Sequence, residues 1–267
     1  MSPDDDFASI ADASRPNAGR IYDYLLGGNH NFEIDRQAAE QLLAIAPEFR
    51  PVARLIRWFL GEAVRRLVDR GHRSFLDFAS GLPTVDHIHQ IAPKGTKVIY
   101  SDLDPVTVAY AQELIKDVPG VAFVECDIKE PEKLLGSEVV SKIFGNEKKI
   151  AIGMNGIAWF LTDESIEHTL ATLYDWAARG TRLFISDVDT KRITEATEKV
   201  FTFYQKVGQP VHARSQERLE ELIGKWRLDE NGFRPLNEWL DIAKIPDFDK
   251  YAKTMGGFFI GGILIKE

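Results

Sequence analysis

Three carboxylates stand at intervals suited to gripping a nucleoside. Asp77 lies in the run Phe75-Leu76-Asp77-Phe78-Ala79-Ser80-Gly81-Leu82-Pro83-Thr84, where an acid in an apolar segment is followed by a turn of small residues. Small side chains let the backbone approach a ligand closely. Asp102, in Tyr100-Ser101-Asp102-Leu103-Asp104-Pro105, follows Gly81 by 21 residues. A carboxylate at that separation can accept hydrogen bonds from two ribose hydroxyls. Asp127 closes Val124-Glu125-Cys126-Asp127, where it can accept from an adenine amino group. Each acid also has a plain structural reading. Asp77 can satisfy loop amides, Asp102 or, better placed, Asp104 can cap a helix that begins at Pro105, and Asp127 can serve a turn. In this order and spacing the set points to a nucleoside-cofactor site.

Such a site needs strands that end where the acids stand. Apolar runs at 74–79, 97–101, 121–125, 149–154 and 182–186 alternate with helical stretches at 84–92, 105–117, 163–179 and 191–206. That alternation predicts βαβ units, hence an α/β fold with a mostly parallel sheet and helices on both faces. A helix at 215–225 and strands near 233–239 and at 258–265 would complete a seven-stranded sheet. Thr84 and Thr162 are candidate helix caps. In an open parallel sheet, ligands bind beyond the carboxyl ends of the strands, where the strand order reverses. Residues 1–16 read as a flexible tail, 17–73 as a helical extension, and 74–267 as the cofactor-binding domain. Within the extension, Val52, Leu55, Ile56, Phe59, Leu60, Val64, Leu67 and Val68 recur at helical spacing, with Pro51 in the first turn and Gly71 as the stop.

Composition narrows the class. The chain has 267 residues, 44% of them hydrophobic and 28% charged, a net charge of −8 and a single cysteine, Cys126. The acidic balance argues against a nucleic-acid coat. The lone cysteine fits a reducing cytoplasm. No apolar run is long enough to span a bilayer, and Met1 to Asp6 does not resemble a secretory signal. His87 and His89 point different ways on a helix, so no metal site is expected.

Two blocks carry a resemblance. One is Pro16-Asn17-Ala18-Gly19-Arg20-Ile21-Tyr22-Asp23-Tyr24-Leu25-Leu26-Gly27-Gly28 with Asn31-Phe32 and Asp35-Arg36; the other is Phe75-Leu76-Asp77 with Gly81-Leu82-Pro83-Thr84. Together they resemble the type 19 S-adenosyl methyltransferases, formerly a family of unknown function, within the class I methyltransferases. The likeness is close from residue 16 to about 190 and looser beyond. The class I signature has three alternating glycines where this chain has Ala79, Gly81 and Pro83, and the family's own variation includes Pro83. The family also tends to carry Asn where Ile56 precedes Arg57. The resemblance implies a Rossmann-like methyltransferase fold, S-adenosyl-L-methionine as cofactor and methyl transfer to an acceptor, expected to be a small molecule. It implies that Asp102 holds the ribose, Asp127 the adenine amino group, Leu103 and Ile128 the adenine faces, and Asp77 with Ala79, Ser80 and Gly81 the methionine side.

The acceptor side is less defined. Tyr22, His30 and Asn155 are pocket candidates, and no catalytic base is evident. Trp159 and Phe160 either wall the pocket or belong to the core. The segment from Tyr22 to Phe32, with Gly27 and Gly28, reads either as a lid over the site or as a helix end with buried aromatics. Arg50, Arg54, Arg57, Arg65, Arg66, Arg70 and Arg73 read as a solvated face, with an anionic-acceptor site as the alternative. Two other functions fit less well. A non-catalytic cofactor sensor would tolerate the irregular glycine loop. A nicotinamide oxidoreductase lacks its G-x-G-x-x-G here and leaves Asp127 unexplained.

Overall fold

A computed structural model describes residues 14–83, 86–239 and 258–267. Most of the expected tail and the Thr84 cap lie outside these residues. The extension forms three helices: α1 (Ala18–Leu26), α2 (Glu33–Ile45) and α3 (Phe49–Asp69). The core follows as β1 (Ser74–Asp77), α4 (Ile88–Ile91), β2 (Lys97–Asp102), α5 (Pro105–Ile115) and β3 (Val121–Glu125). Next come α6 (Pro131–Leu135), α7 (Glu138–Phe144), β4 (Ala151–Met154), α8 (Asp163–Trp176) and β5 (Arg182–Val188). The chain closes with α9 (Glu195–Lys206), α10 (Gln216–Leu222), β6 (Arg227–Leu228), β7 (Arg234–Pro235) and β8 (Phe259–Ile265).

The sheet order is β3-β2-β1-β4-β5-β8-β6, with β7 also paired to β8. Strands β1 to β5 pair in parallel and β8 runs against β5. The order reverses at β1, between β2 and β4, and that is where a crevice opens. Side chains alternate across the sheet. Phe75, Tyr100 and Phe184 pack on one face with α1, α2, α3 and α9. Leu76, Ile99, Ile152 and Ile185 pack on the other with α6, α7, α8 and α10. Residues from the extension fill the first face, so it is part of the core.

Two expectations need correction. Among the described residues the sheet has eight strands, because the edge position beyond β8 is split. Leu228 pairs with Leu264 and Arg234 with Gly261, so six residues of chain cover three of β8. The surplus is taken up in a turn, where the Asp229 carboxylate accepts from the backbone and side chain of Asn231. The helix expected at 84–92 is the single turn α4. Asp86 has φ +54°, a left-handed conformation that helix cannot include. Crossovers α6 and α7, which sequence periodicity did not mark, supply the connection a parallel β3 to β4 step requires.

The extension is fastened by Arg20, only 2% exposed. Its Nε donates to the buried Asp35 at 2.8 Å and its Nη1 to Asp104 at 2.9 Å. Asp35 also accepts from the Asn17 and Phe32 amides, and Asp104 caps α5 through Thr107. Removing one partner of a buried pair leaves an uncompensated charge, at about 3–5 kcal/mol. Arg20→Met should therefore cost about that much in denaturant unfolding. Lys199→Ala, which breaks an exposed pair with Glu195, should leave the midpoint unchanged. Equal midpoints for both variants and wild type would show that Arg20 is not the fastening.

Candidate functional site

A cavity of about 560 Å³ opens at the carboxyl ends of the parallel strands. Its lining follows the order of the sheet. Asp127 and Ile128 come from the end of β3, Asp102 and Leu103 from β2, Asp77 and the small-residue turn from β1, and Asn155 and Gly156 from β4. The turn is fastened to its neighbours. The Phe78 amide donates to Gly153, the Ser80 amide to Ser101, and the Ser80 hydroxyl to the Asp77 carbonyl. Ala79 sits at φ +49°, a left-handed conformation costing a non-glycine residue about 1–2 kcal/mol. It occupies the place of a signature glycine and bears that strain.

The strand-end acids differ in environment. Asp77 is 1% exposed, and neither carboxylate oxygen has a hydrogen-bond partner. Burial pushes its pKa up to about 7, against smaller opposing effects of Ser80 and the Arg57 charge. A Cβ at Gly153 would stand 2.1 Å from Asp77 Oδ1, so only glycine leaves room for this acid. Asp102 accepts from the Gly81 amide at 3.0 Å and from the Asp104 amide at 3.0 Å. Burial raises its pKa to about 6. Asp127 accepts from the Lys129 amide, and the Lys129 ammonium lies 3.3 Å away. Leu103 is 57% exposed, while Ile128 is buried.

Of the pocket candidates, Tyr22 and Asn155 line the cavity and His30 does not. The Tyr22 hydroxyl donates to the Ala53 carbonyl. The Asn155 side chain donates to the Ile56 carbonyl and accepts from Ser186, tying the loop after β4 to α3. The His30 ring stands edge-on to Tyr110 at 5.2 Å. Gly27 and Gly28 do not line the cavity either. Gly27 is the left-handed C-cap of α1 at φ +88°. Gly28 packs against the Asp23 carboxylate, which a Cβ there would meet at 2.1 Å. Asn17, Ala18, Gly19 and Tyr22 from the start of α1 cover the cavity in place of the Gly27 to Phe32 loop.

Arg57 departs from the expected solvated face. It is 6% exposed, lines the cavity, and has an unpartnered Nε. Its Nη1 lies 3.0 Å from His87 Nε2, and its guanidinium stands over the Tyr22 ring. Burial and that charge hold His87 well below the ordinary histidine range. Among the described residues no carboxylate pairs with Arg57 in an ion pair. The sequence did hold a signal, since position 57 falls within the buried stripe of Ala53, Ile56, Leu60 and Val64.

Toward β5 the cavity turns aromatic, with Phe49, Trp159, Phe160 and Tyr204 in its lining. Trp159 is both wall and core, being 4% exposed. Arg214 holds the loop that carries it, donating to the Ala158 and Leu161 carbonyls and pairing with Asp187 and Asp163. Among the described residues no cluster of acids, histidines and cysteine could hold a metal ion, and no helix is long and apolar enough to cross a membrane.

A family model described as S-adenosyl methyltransferase matches residues 5–261. A Thermobifida fusca protein assigned as a methyltransferase is similar in structure, with TM-score 0.84, 27% identity, and coverage of 96% of this chain and 97% of that one. A DUF574 family protein from Streptomyces avermitilis has TM-score 0.86 and 23% identity, over 96% of this chain and 99% of that one. The magnesium protoporphyrin IX methyltransferase from Synechocystis, solved with bound SAH, shares the fold at TM-score 0.56 and 13% identity, over 97% and 99%. No curated protein sequence matches the chain.

The buried Asp77 has a consequence for stability. With its native pKa near 7, the folded protein keeps a proton that the unfolded chain releases near pH 4. The associated stability is full below about pH 4 and is lost as pH rises toward about 7, on the order of 4 kcal/mol in all. Denaturant unfolding of the ligand-free protein should show that decline, and Asp77→Asn should remove its Asp77 part, most clearly between about pH 6 and 7, above the range in which the buried Asp102 and Asp187 titrate. Parallel profiles for the two proteins would mean that Asp77 is ionised when folded.

Proposed function

The chain belongs to the S-adenosyl methyltransferase family, and from that premise we propose that it transfers the methyl group of S-adenosylmethionine to a small-molecule acceptor. One observation carries the reading. A single cavity joins three strand-end carboxylates on one side to an aromatic wall on the other, so both reactants have a place within it. Its volume lies within the range for small-molecule sites.

The unpartnered groups fit this cofactor. Among the described residues the Asp77 carboxylate and the Arg57 Nε have no hydrogen-bond partner, while the amino-acid end of S-adenosylmethionine carries an ammonium and a carboxylate. In this reading Asp77, with Ala79, Ser80 and Gly81, holds the ammonium end and Arg57 the carboxylate. Asp102 retains lone pairs beyond those used by Gly81 and Asp104, and these accept from the ribose hydroxyls. Asp127 takes the adenine amino group, with Leu103 and Ile128 against the ring.

The cofactor supplies a methyl carbon already activated by its sulfonium. The protein aligns the acceptor and excludes water. Asn155 and Arg214 set the loop after β4, and the first turn of α1 covers the opening. Tyr22 orients Arg57 and α3 rather than reacting. His30 acts only through the packing of the extension.

Calorimetry should give a signal with S-adenosylmethionine and none with NAD; the reverse would sink the reading. Asp102→Ala should weaken cofactor binding by about 1.5–3 kcal/mol, the scale of charged hydrogen bonds, and Arg57→Met by a similar amount. Asp104→Ala removes a helix cap and an Arg20 partner, so it should lower the unfolding midpoint more than the affinity. If Asp102→Ala and Arg57→Met bind normally while Asp104→Ala does not, the assigned roles are wrong.

A further inference from the structure

The aromatic end of the cavity limits what can be methylated there. Phe49, Trp159, Phe160 and Tyr204 lie against one another, with ring centroids 4.6 Å apart for Trp159 and Phe160, 5.3 Å for Phe160 and Tyr204, and 6.2 Å for Phe49 and Trp159. Such rings favour a flat partner in offset or edge-on contact. Every lining carboxylate stands on the β1 to β3 side, namely Asp77, Asp102, Asp104 and Asp127. Among the described residues no lining carboxylate, histidine or lysine belongs to the aromatic end. No described group there can take a proton from the acceptor as it reacts. Tyr204 lines this end of the cavity, and its hydroxyl makes no hydrogen bond among the described residues. That leaves its O–H open to a ligand bound there. Burial raises its pKa above the ordinary tyrosine value, so it stays protonated and can donate.

We infer that the acceptor is a planar aromatic molecule with an acidic hydroxyl, bound as its phenolate among these rings with its oxygen accepting from the Tyr204 hydroxyl. The inference rests on the methyl-transfer reading. An oxygen lone pair forms the new O–CH3 bond while the S–CH3 bonding pair returns to sulfur. A phenolate and a sulfonium become a neutral aryl methyl ether and a neutral thioether. The hydroxyl proton has already left to solvent, so no enzyme base is needed. A saturated alcohol, whose hydroxyl does not ionise near neutrality, would need one. An amine would place a developing cation beside the sulfonium, whereas the phenolate and sulfonium attract, more strongly in a cavity closed to water.

The test compares naphthol, naphthylamine and the saturated decalol as acceptors, adds ring-substituted phenols of graded acidity, and monitors S-adenosylhomocysteine binding by calorimetry in parallel. Naphthol should be methylated and decalol should not. For each phenol kcat/KM should rise with pH to a plateau whose midpoint follows that phenol's own pKa. Tyr204→Phe should lower kcat/KM for naphthol about tenfold, the scale of one hydrogen bond to a charged group, and leave S-adenosylhomocysteine affinity unchanged. Phe160→Leu should raise KM for naphthol. Preference for the amine or decalol, one pH midpoint common to all phenols, or normal cofactor binding with no transfer to any phenol would overturn the inference. Failure of S-adenosylhomocysteine to bind would bring down the methyl-transfer reading itself.

Discussion

The site is a cavity because one buried guanidinium ties the extension to the core. Arg20 spans from Asp35, at the start of α2, to Asp104, two residues beyond the end of β2. Asp104 in turn donates its amide to the Asp102 carboxylate, which also accepts from Gly81. One chain of charge-assisted hydrogen bonds thus runs from the extension through Asp102 to the turn after β1. Such bonds are short and about twice as strong as neutral ones. They fix the first turn of α1 over the strand ends, in addition to the packing of Ile21 and Leu25 in the core.

Closure sets up an uneven distribution of charge. Among the described residues the β1 to β3 side keeps Asp77, Asp102 and Asp127 together with the buried Arg57, while the β5 side is lined by rings together with Ile157, Gly208, Gln209 and Pro210. Buried polar groups ordinarily find partners, and here Asp77 and the Arg57 Nε do not. The cost of leaving them so is borne by packing on both faces of the sheet. In return the two groups are preorganised for a ligand bearing the opposite charges.

The parts of this arrangement that depend on local order were legible in the sequence. Asp77, Asp102 and Asp127 stand at the ends of short apolar runs, and parallel-sheet topology brings those ends together. The Asn17 to Asp35 block was visible as a unit. Its glycines fit either a lid or a helix end from sequence alone; in the structure Gly27 ends a helix and Gly28 is small because Asp23 packs on it. The split edge strand escaped notice because pieces of two residues have no periodicity. Arg57 was hidden in a run of arginines whose other members lie at the surface or on its margin. The meeting of Phe49, Trp159 and Tyr204 joins residues far apart in the chain, which no local pattern can show.

The central claim is that one cavity holds the cofactor with its nucleoside toward β3 and its amino-acid end between Asp77 and Arg57. Diffraction from crystals grown with S-adenosylhomocysteine tests it directly. The account predicts adenine against Leu103 and Ile128, ribose on Asp102, and the carboxylate on Arg57, with the sulfur facing the aromatic wall. Density for the ligand in the opposite orientation, or outside this cavity, would contradict it.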